Sequence, residues 1–372
     1  MNEQGLYKQA AQILYRLWWE AGTSKEAQSL EIHRLALLGK DGEIAGKINQ
    51  ALAAGWNKKS RYREVVNICH TTLAIAEDYR IFHSLAVAED ELGDIKDCLR
   101  HFQKALDLCP LENEKEKATI VHNLAIVHVK QGQIEQAIAL YNQSLEINER
   151  IGNLQGKAAT LHQLGRIYAN KGEVDEAITL YNQSLEINDN VQDKATTLHC
   201  LGVIAAKKGE VDKAIALYNQ SLEINECIGN VQGKATTLHE LGHIYASHGK
   251  VDEAITLYNQ SLEIFERIGY VKSQADALHN LANMYAKKGE VEEAIALYNQ
   301  SLEITQRIGN LQGKAATLYC LGHIYGKKGE VEEAIAFYNQ SLEIDKRIGN
   351  VQGIAGTLHE LGILYAKKGE VD

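Results

Sequence analysis

Tyr181-Asn182-Gln183-Ser184-Leu185-Glu186-Ile187 is the stretch to which the chain keeps returning. The same seven residues begin at Tyr141, Tyr181, Tyr218, Tyr258, Tyr298 and Tyr338, at spacings of 40, 37, 40, 40 and 40 residues. Self-similarity at such a period makes each copy one unit of a stacked array, since a single unit cannot bury its apolar face alone. Two further blocks lead into each copy, exemplified by Leu161-His162-Gln163-Leu164-Gly165-Arg166-Ile167-Tyr168 and Lys171-Gly172-Glu173-Val174-Asp175-Glu176-Ala177-Ile178. Leu164 and Tyr168 stand four apart, as do Ala177 and Tyr181, so each pair shares one helical face. Gly172 between them ends the first helix in a left-handed turn. Gly152 and Asn153 serve in the same way as the C-terminal cap of one unit and the N-cap of the next. Gly165 and Ala177 are small where two helices cross closely, and a larger side chain at either overpacks the contact by ~1–3 kcal/mol.

Outside the regular copies the pattern wears down. Residues 1–42 predict two helices: Leu6, Ala10, Ile13, Leu14, Leu17 and Trp18 recur at helical spacing, and residues 25–38 follow with Leu30, Leu35 and Leu38 as the apolar side. This segment reads as a cap or linker. Residues 46–112 hold two divergent units, closed by Pro110, which cannot continue a helix. Six regular units fill 118–354, and 355–372 is the first helix of a further, incomplete one. The apolar face of that last helix is expected to lie open, so the chain either continues in a longer protein or associates end to end.

At 372 residues the chain exceeds the ~250–300 at which one core stops growing. An array escapes that limit because each unit packs only on its neighbours. A single proline fits helices throughout, and a net charge of −10 argues against a nucleic-acid partner, which calls for a basic face. Six cysteines without C-x-x-C spacing read as reduced side chains of a cytoplasmic protein. No secretion signal and no apolar run of about 18 residues is present, so no membrane partner is expected.

These columns resemble the tetratricopeptide repeat family. Its Leu-Gly pair stands at Leu164-Gly165, Leu201-Gly202, Leu241-Gly242, Leu321-Gly322 and Leu361-Gly362, with the aromatic residue one turn later at Tyr168, Tyr245, Tyr285, Tyr325 and Tyr365. The inter-helix glycine is found at Gly132, Gly172, Gly209, Gly249, Gly289, Gly329 and Gly369, and the packed alanine at Ala137, Ala177, Ala214, Ala254, Ala294 and Ala334. The period of about 40 exceeds the usual 34 and is similar to the extended repeats of kinesin light chains, Leu-Gly-Asn-repeat adaptors and bacterial signalling proteins. A second departure is serine where the family places alanine in the second helix, at Ser144, Ser184, Ser221, Ser261, Ser301 and Ser341. The resemblance implies an all-α, right-handed superhelical solenoid of antiparallel helix pairs. Its concave groove would be lined by first helices and would hold an extended peptide or a partner helix.

The clue to such a groove is where sister copies disagree. After the histidine column come Asn123, Gln163, Cys200, Glu240, Asn280, Cys320 and Glu360; three residues on come Ile126, Arg166, Val203, His243, Asn283, His323 and Ile363. Packing pins core columns, so these are expected to face outward into the groove. The alternative is drift on a solvated surface, where most positions carry no function. The column itself, His122, His162, His199, His239, His279, Tyr319 and His359, is expected in the same groove, with Lys287 and Lys327 at the far helix ends. Protonation of these histidines between about pH 5 and 8 would favour an acidic peptide. Neighbouring members, about 8–10 Å apart, lie too far apart to share a metal.

His239-Glu240-Leu241-Gly242-His243 matches H-E-x-x-H, the zinc hydrolase motif. The repeat explains it better: Leu241-Gly242 is the Leu-Gly pair, and the sister stretch His162-Gln163-Leu164-Gly165-Arg166 breaks the match. The expectation is therefore a non-enzymatic protein–protein interaction scaffold without cofactor or metal. Two alternatives stand beside it: the sensor or autoinhibitory region of a larger bacterial signalling ATPase, and a zinc-dependent hydrolase at His239 and His243.

Overall fold

The computed structural model describes residues 2–369; of the incomplete last unit, residues 370–372 lie outside the described residues. Two compact units divide the chain after Asn188. The first contains α1 (Glu3–Leu14), which runs on into a π-helical turn at Tyr15–Glu20, then α2 (Glu26–Leu38), α3 (Gly42–Asn57), α4 (Tyr62–Leu73) and α5 (Tyr79–Leu92). It continues through α6 (Ile95–Leu108), α7 (Glu114–Lys130), α8 (Ile134–Arg150), α9 (Leu154–Lys171) and α10 (Val174–Ile187). The second contains α11 (Val191–Lys207), α12 (Val211–Cys227), α13 (Val231–Ser247), α14 (Val251–Ile268), α15 (Val271–Lys288), α16 (Val291–Arg307), α17 (Leu311–Lys328), α18 (Val331–Ile348) and α19 (Val351–Lys368). No strand occurs among the described residues.

Within each unit, consecutive helices pack as antiparallel pairs, and first helices also touch one another: α5 meets α7 and α7 meets α9, as α11 meets α13, α15 meets α17 and α17 meets α19. Each unit is thus an all-α repeat solenoid with its first helices crowded on one side. Glycine turns hold the pairs together, with Gly172 at φ 83° and Gly152 at φ 67°. The Asn153 side chain caps α9 by accepting from the Gly156 amide, and α6 stops two residues before Pro110.

The tyrosine of the recurring heptad is the largest buried side chain in every copy from Tyr141 to Tyr338. Its ring fills a notch opposite the Leu-Gly glycine. A β-carbon placed at Gly165, Gly202, Gly242 or Gly322 would come within 2.7–2.9 Å of the rings of Tyr181, Tyr218, Tyr258 and Tyr338. The serine that replaces the family's alanine has a role as well. Ser144, Ser184, Ser221, Ser301 and Ser341 donate at 2.8–2.9 Å to the carbonyls of Ala118, Ala158, Ala195, Ala275 and Ala315 in the partner helix.

The first two helices correct the sequence reading. Leu6, Ile13 and Leu17 are exposed by 55%, 57% and 60%, and Leu30 and Leu38 are exposed too. Ala11, Ile32, Leu35 and Ala36 are buried instead, with Ala10, Leu14 and Trp18 packed against them. Only one stripe of each helix is buried, where α1 packs on α2 and α2 on α3, and without a repeat to compare, periodicity alone chose too broad a stripe.

Candidate binding face

The histidine column sits in packing rather than free in a groove. The ring of each His lies over the notch-filling tyrosine, with centroids 5.2 Å apart for His122–Tyr141, 5.4 Å for His162–Tyr181, 5.3 Å for His199–Tyr218 and His239–Tyr258, and 5.4 Å for His279–Tyr298. Tyr319 stands on Tyr338 in the same way, and His359 is exposed. The Nδ1 atoms of His122, His199 and His279 lie 3.1, 3.4 and 3.1 Å from the hydroxyls of Thr160, Thr237 and Thr317 on the next first helix. Each threonine already donates its proton to a backbone carbonyl, at Gly156, Gly233 and Gly313. The hydroxyls therefore accept, the histidine protons sit on Nδ1, and Nε2 is left as an acceptor.

Burial pushes His122, His162, His199 and His279 down to about 4 and His239 to about 3, where Nearby His243 adds to the effect. These five histidines stay neutral between pH 5 and 8, so the expected charging that would draw an acidic peptide does not occur at them. The reason is the tyrosine ring beneath each imidazole, which replaces water.

The variable positions divide. Arg166, His243 and His323 are exposed, and Asn123, Asn280 and Asn283 are half-buried. Several reach across the repeats. Asn123 Nδ2 lies 2.9 Å from Nε2 of His83, a column member in α5 that the divergent sequence concealed. Asn280 Nδ2 lies 2.8 Å from His239 Nε2 and 3.3 Å from His243 Nε2. Tyr298 donates to Asn283, while Arg166 donates to Gln163 at 3.0 Å. Lys287 and Lys327 are exposed at the ends of α15 and α17.

The rings of His239 and His243 stack at 4.8 Å, and Asn280 bridges both; His243 Nδ1 also meets the Tyr258 hydroxyl at 3.1 Å. His248, the nearest further histidine, turns its Nδ1 to the Ile244 carbonyl at 2.8 Å. Among the described residues no group of three His, Cys, Asp or Glu side chains is placed to hold a metal ion.

Two cavities went unread in the sequence. One of about 350 Å³ opens beside His239, His243 and Asn280, with Glu240, Asp276 and Phe265 in its wall. Its signal was there to find, because Phe265 and Asp276 interrupt columns held otherwise in the sister copies. A cleft of about 1050 Å³ lies on the second-helix side, lined by Leu222, Tyr245, Lys250, Leu257 and Arg267 among others.

Helix pairs stacked at a period of about 40 residues define a helical repeat protein. The tetratricopeptide repeat family matches the chain over residues 77–150, 116–190, 193–267, 273–347 and 313–372, and the chain belongs to that family. No curated protein matches it. Among solved structures it is similar to a signal transduction ATPase with numerous domains from Pyrococcus horikoshii that carries a tetratricopeptide repeat sensor, with a TM-score of 0.65 and 15% identity over 99% of this chain. The chain spans about half of that protein, 53% of its length. It is also similar to a Rap protein complexed with competence and sporulation factor, with a TM-score of 0.57 and 13% identity over 87% of this chain and 98% of the other. BtubC from P. vanneervenii matches at a TM-score of 0.51 and 20% identity, over 59% and 92% of the two chains. At these identities the likeness is one of fold. No described helix is long and apolar enough to cross a membrane.

Proposed function

We propose that the face formed by the first helices binds an extended segment or a helix of a partner protein, as a scaffold rather than an enzyme. The observation that carries this reading is the set of polar side chains that differ from copy to copy on that face: Arg166 in the first unit, and His243, Asn280, Asn283 and His323 in the second. Core packing pins the surrounding columns, which leaves these positions free to encode a ligand. The Rap protein, whose fold is similar, is seen complexed with competence and sporulation factor, in keeping with a partner-binding reading. A cytoplasmic site of action fits the six free cysteines.

The test is selection of random twelve-residue peptides displayed on phage, using the immobilised full chain and the variant carrying Asn280→Ala and Asn283→Ala. The wild-type chain should retain a distinct pool that the variant retains at least about tenfold less well, the scale of one or two lost hydrogen bonds. A wild-type chain that enriches nothing, or a variant that keeps the same pool, removes the reading.

The likeness to the sensor-bearing ATPase over 99% of this chain favours a second reading, in which the array is the sensor or autoinhibitory part of a larger signalling protein. An antibody against the chain decides it. In a lysate of the source cells, a band well above 41.3 kDa supports the reading and a single band at that mass ends it.

A further inference from the structure

The cavity beside His239 is built unlike its counterparts. At two other junctions the cavity is smaller, about 200 and 250 Å³, and an asparagine network lines it: Asn153 Nδ2 donates to Asn148 at 2.6 Å while Asn153 Oδ1 accepts from Gly156, and Asn230 repeats this with Asn225 and Gly233. Between α14 and α15 those positions are Phe265, Tyr270 and Ser273. The threonine that elsewhere holds the histidine is Ala277, and Asp276 stands where sister copies have Ala159, Thr196, Thr236 or Ala316. The departures replace a self-satisfied polar lining by a larger cavity of about 350 Å³ with two carboxylates, Glu240 and Asp276, in its wall.

Neither carboxylate has a hydrogen bond or ion pair among the described residues, and both are half-buried. Lys207 acts on Glu240 and Lys272 on Asp276, but both lysines are exposed and form no ion pair with them. Burial raises both carboxyl groups, the mark of negative charge held short of water and of a partner. The wall also carries flat rings, the stacked imidazoles of His239 and His243 and Phe265 with its centroid 6.2 Å from that of His239, beside the polar Thr236, Ser273 and Asn280. Uncompensated acceptors beside flat π surfaces suit a planar cation with several N–H donors.

We infer that this cavity receives a basic side chain of the partner segment, the guanidinium of arginine being the best fit, with Glu240 and Asp276 accepting its hydrogen bonds and the rings of His239, His243 and Phe265 lining its faces. The inference rests on the first-helix face being the binding face, and it gives the partner a basic residue at this point in place of the acidic character expected from charged histidines. A bidentate guanidinium–carboxylate contact is among the stronger polar contacts available to a protein.

The same phage selection tests it. The wild-type pool should carry arginine or lysine in one fixed column. A synthetic peptide from that pool should bind at least about tenfold more tightly than its copy with neutral citrulline at that column, the scale expected of a charge-assisted pair. That ratio should fall to about one in the variant with Glu240→Gln and Asp276→Asn, with Glu240→Gln alone falling between. These near-isosteric changes remove unpaired charge, and circular dichroism checks the fold of each variant. A pool without a basic column, or a ratio that survives in a folded variant, overturns the assignment while leaving the binding face in place. A wild-type chain that enriches no peptide overturns the binding face itself and the assignment with it.

Discussion

The hydroxyl of Tyr298 donates to Oδ1 of Asn283 at 2.6 Å, so a fixed residue of the second helix is bonded to a variable residue of the first. The pairing repeats with changed chemistry along the second unit. Tyr258 meets Nδ1 of His243 at 3.1 Å, but the equivalent first-helix position opposite Tyr218 is Val203, which offers nothing. The Tyr218 hydroxyl is buried with no hydrogen-bond partner among the described residues. Ring packing is therefore what the tyrosine column shares, and the hydroxyl contact changes with the variable residue.

Tyr218→Phe and Tyr298→Phe should consequently move stability in opposite directions. Removing an unpaired buried hydroxyl stabilises by about 1 kcal/mol, whereas removing the donor to Asn283 costs about 0.5–1.5 kcal/mol. Urea unfolding of the two variants beside the wild type measures both. Equal destabilisation would show that the hydroxyls are immaterial to the difference.

Gly202 is set against the Tyr218 ring, which an added β-carbon would approach to 2.7 Å. For Gly202→Ala two effects oppose: about 1 kcal/mol of gained helix propensity, and a comparable cost of moving the ring. Ala125 and Ala282 occupy this column in sister copies and are fully buried, so the ring can yield to one methyl group. The alanine variant should stay within about 1 kcal/mol of wild type, while Gly202→Val should lose about 2–3 kcal/mol through overpacking and β-branching. A valine variant as stable as wild type in urea would contradict the ring-in-notch packing.

The period of the heptad exposed the helix pairs because the same contacts recur and selection for packing repeats them. Residues 1–42 lacked that comparison, and helical spacing there did not separate the exposed Leu6 and Ile13 from the residues that are buried. The histidine column was harder, since a constant polar residue reads equally as a groove ligand or as a satisfied core group. The deciding partners, Tyr141 below and Thr160 on the following helix, are 19 and 38 residues away from His122, too remote for local periodicity to connect. Asp276 and Phe265 differ from the residues of their sister copies, but they lie outside the variable positions that follow the histidine column.

Zinc offers a check on the His239-Glu240-Leu241-Gly242-His243 motif. Both imidazoles are held by Asn280, and a stable zinc site requires at least three protein ligands. Equimolar zinc should leave the melting temperature unchanged, and a chelator should do the same to protein purified without added metal. A metal-dependent rise in melting temperature that disappears in His243→Ala would show that the motif binds zinc.

The pH dependence follows from the same burial. A histidine with an unfolded pKa of about 6.5 takes up a proton in the unfolded chain as pH falls below that value. His122, His162, His199 and His279, held at about 4, stay neutral in the fold over most of that range. The unfolded state then binds more protons, so stability is lost as pH falls from about 6.5 toward 4, by up to about 1–1.5 kcal/mol per histidine on reaching pH 5. Glu240 and Asp276 act in the opposite sense, because their raised carboxyls are protonated more readily in the fold, which favours the folded chain as pH falls. Glu89 is raised as well, but with His33 and His83 also lowered, seven histidines stand against three raised carboxyls, and the histidines prevail. Thermal melts at pH 6.5 and 5 should show the lower melting temperature at pH 5, with a smaller difference in His279→Gln. Equal melting temperatures at the two values would mean that the imidazoles are not packed against the tyrosines as described.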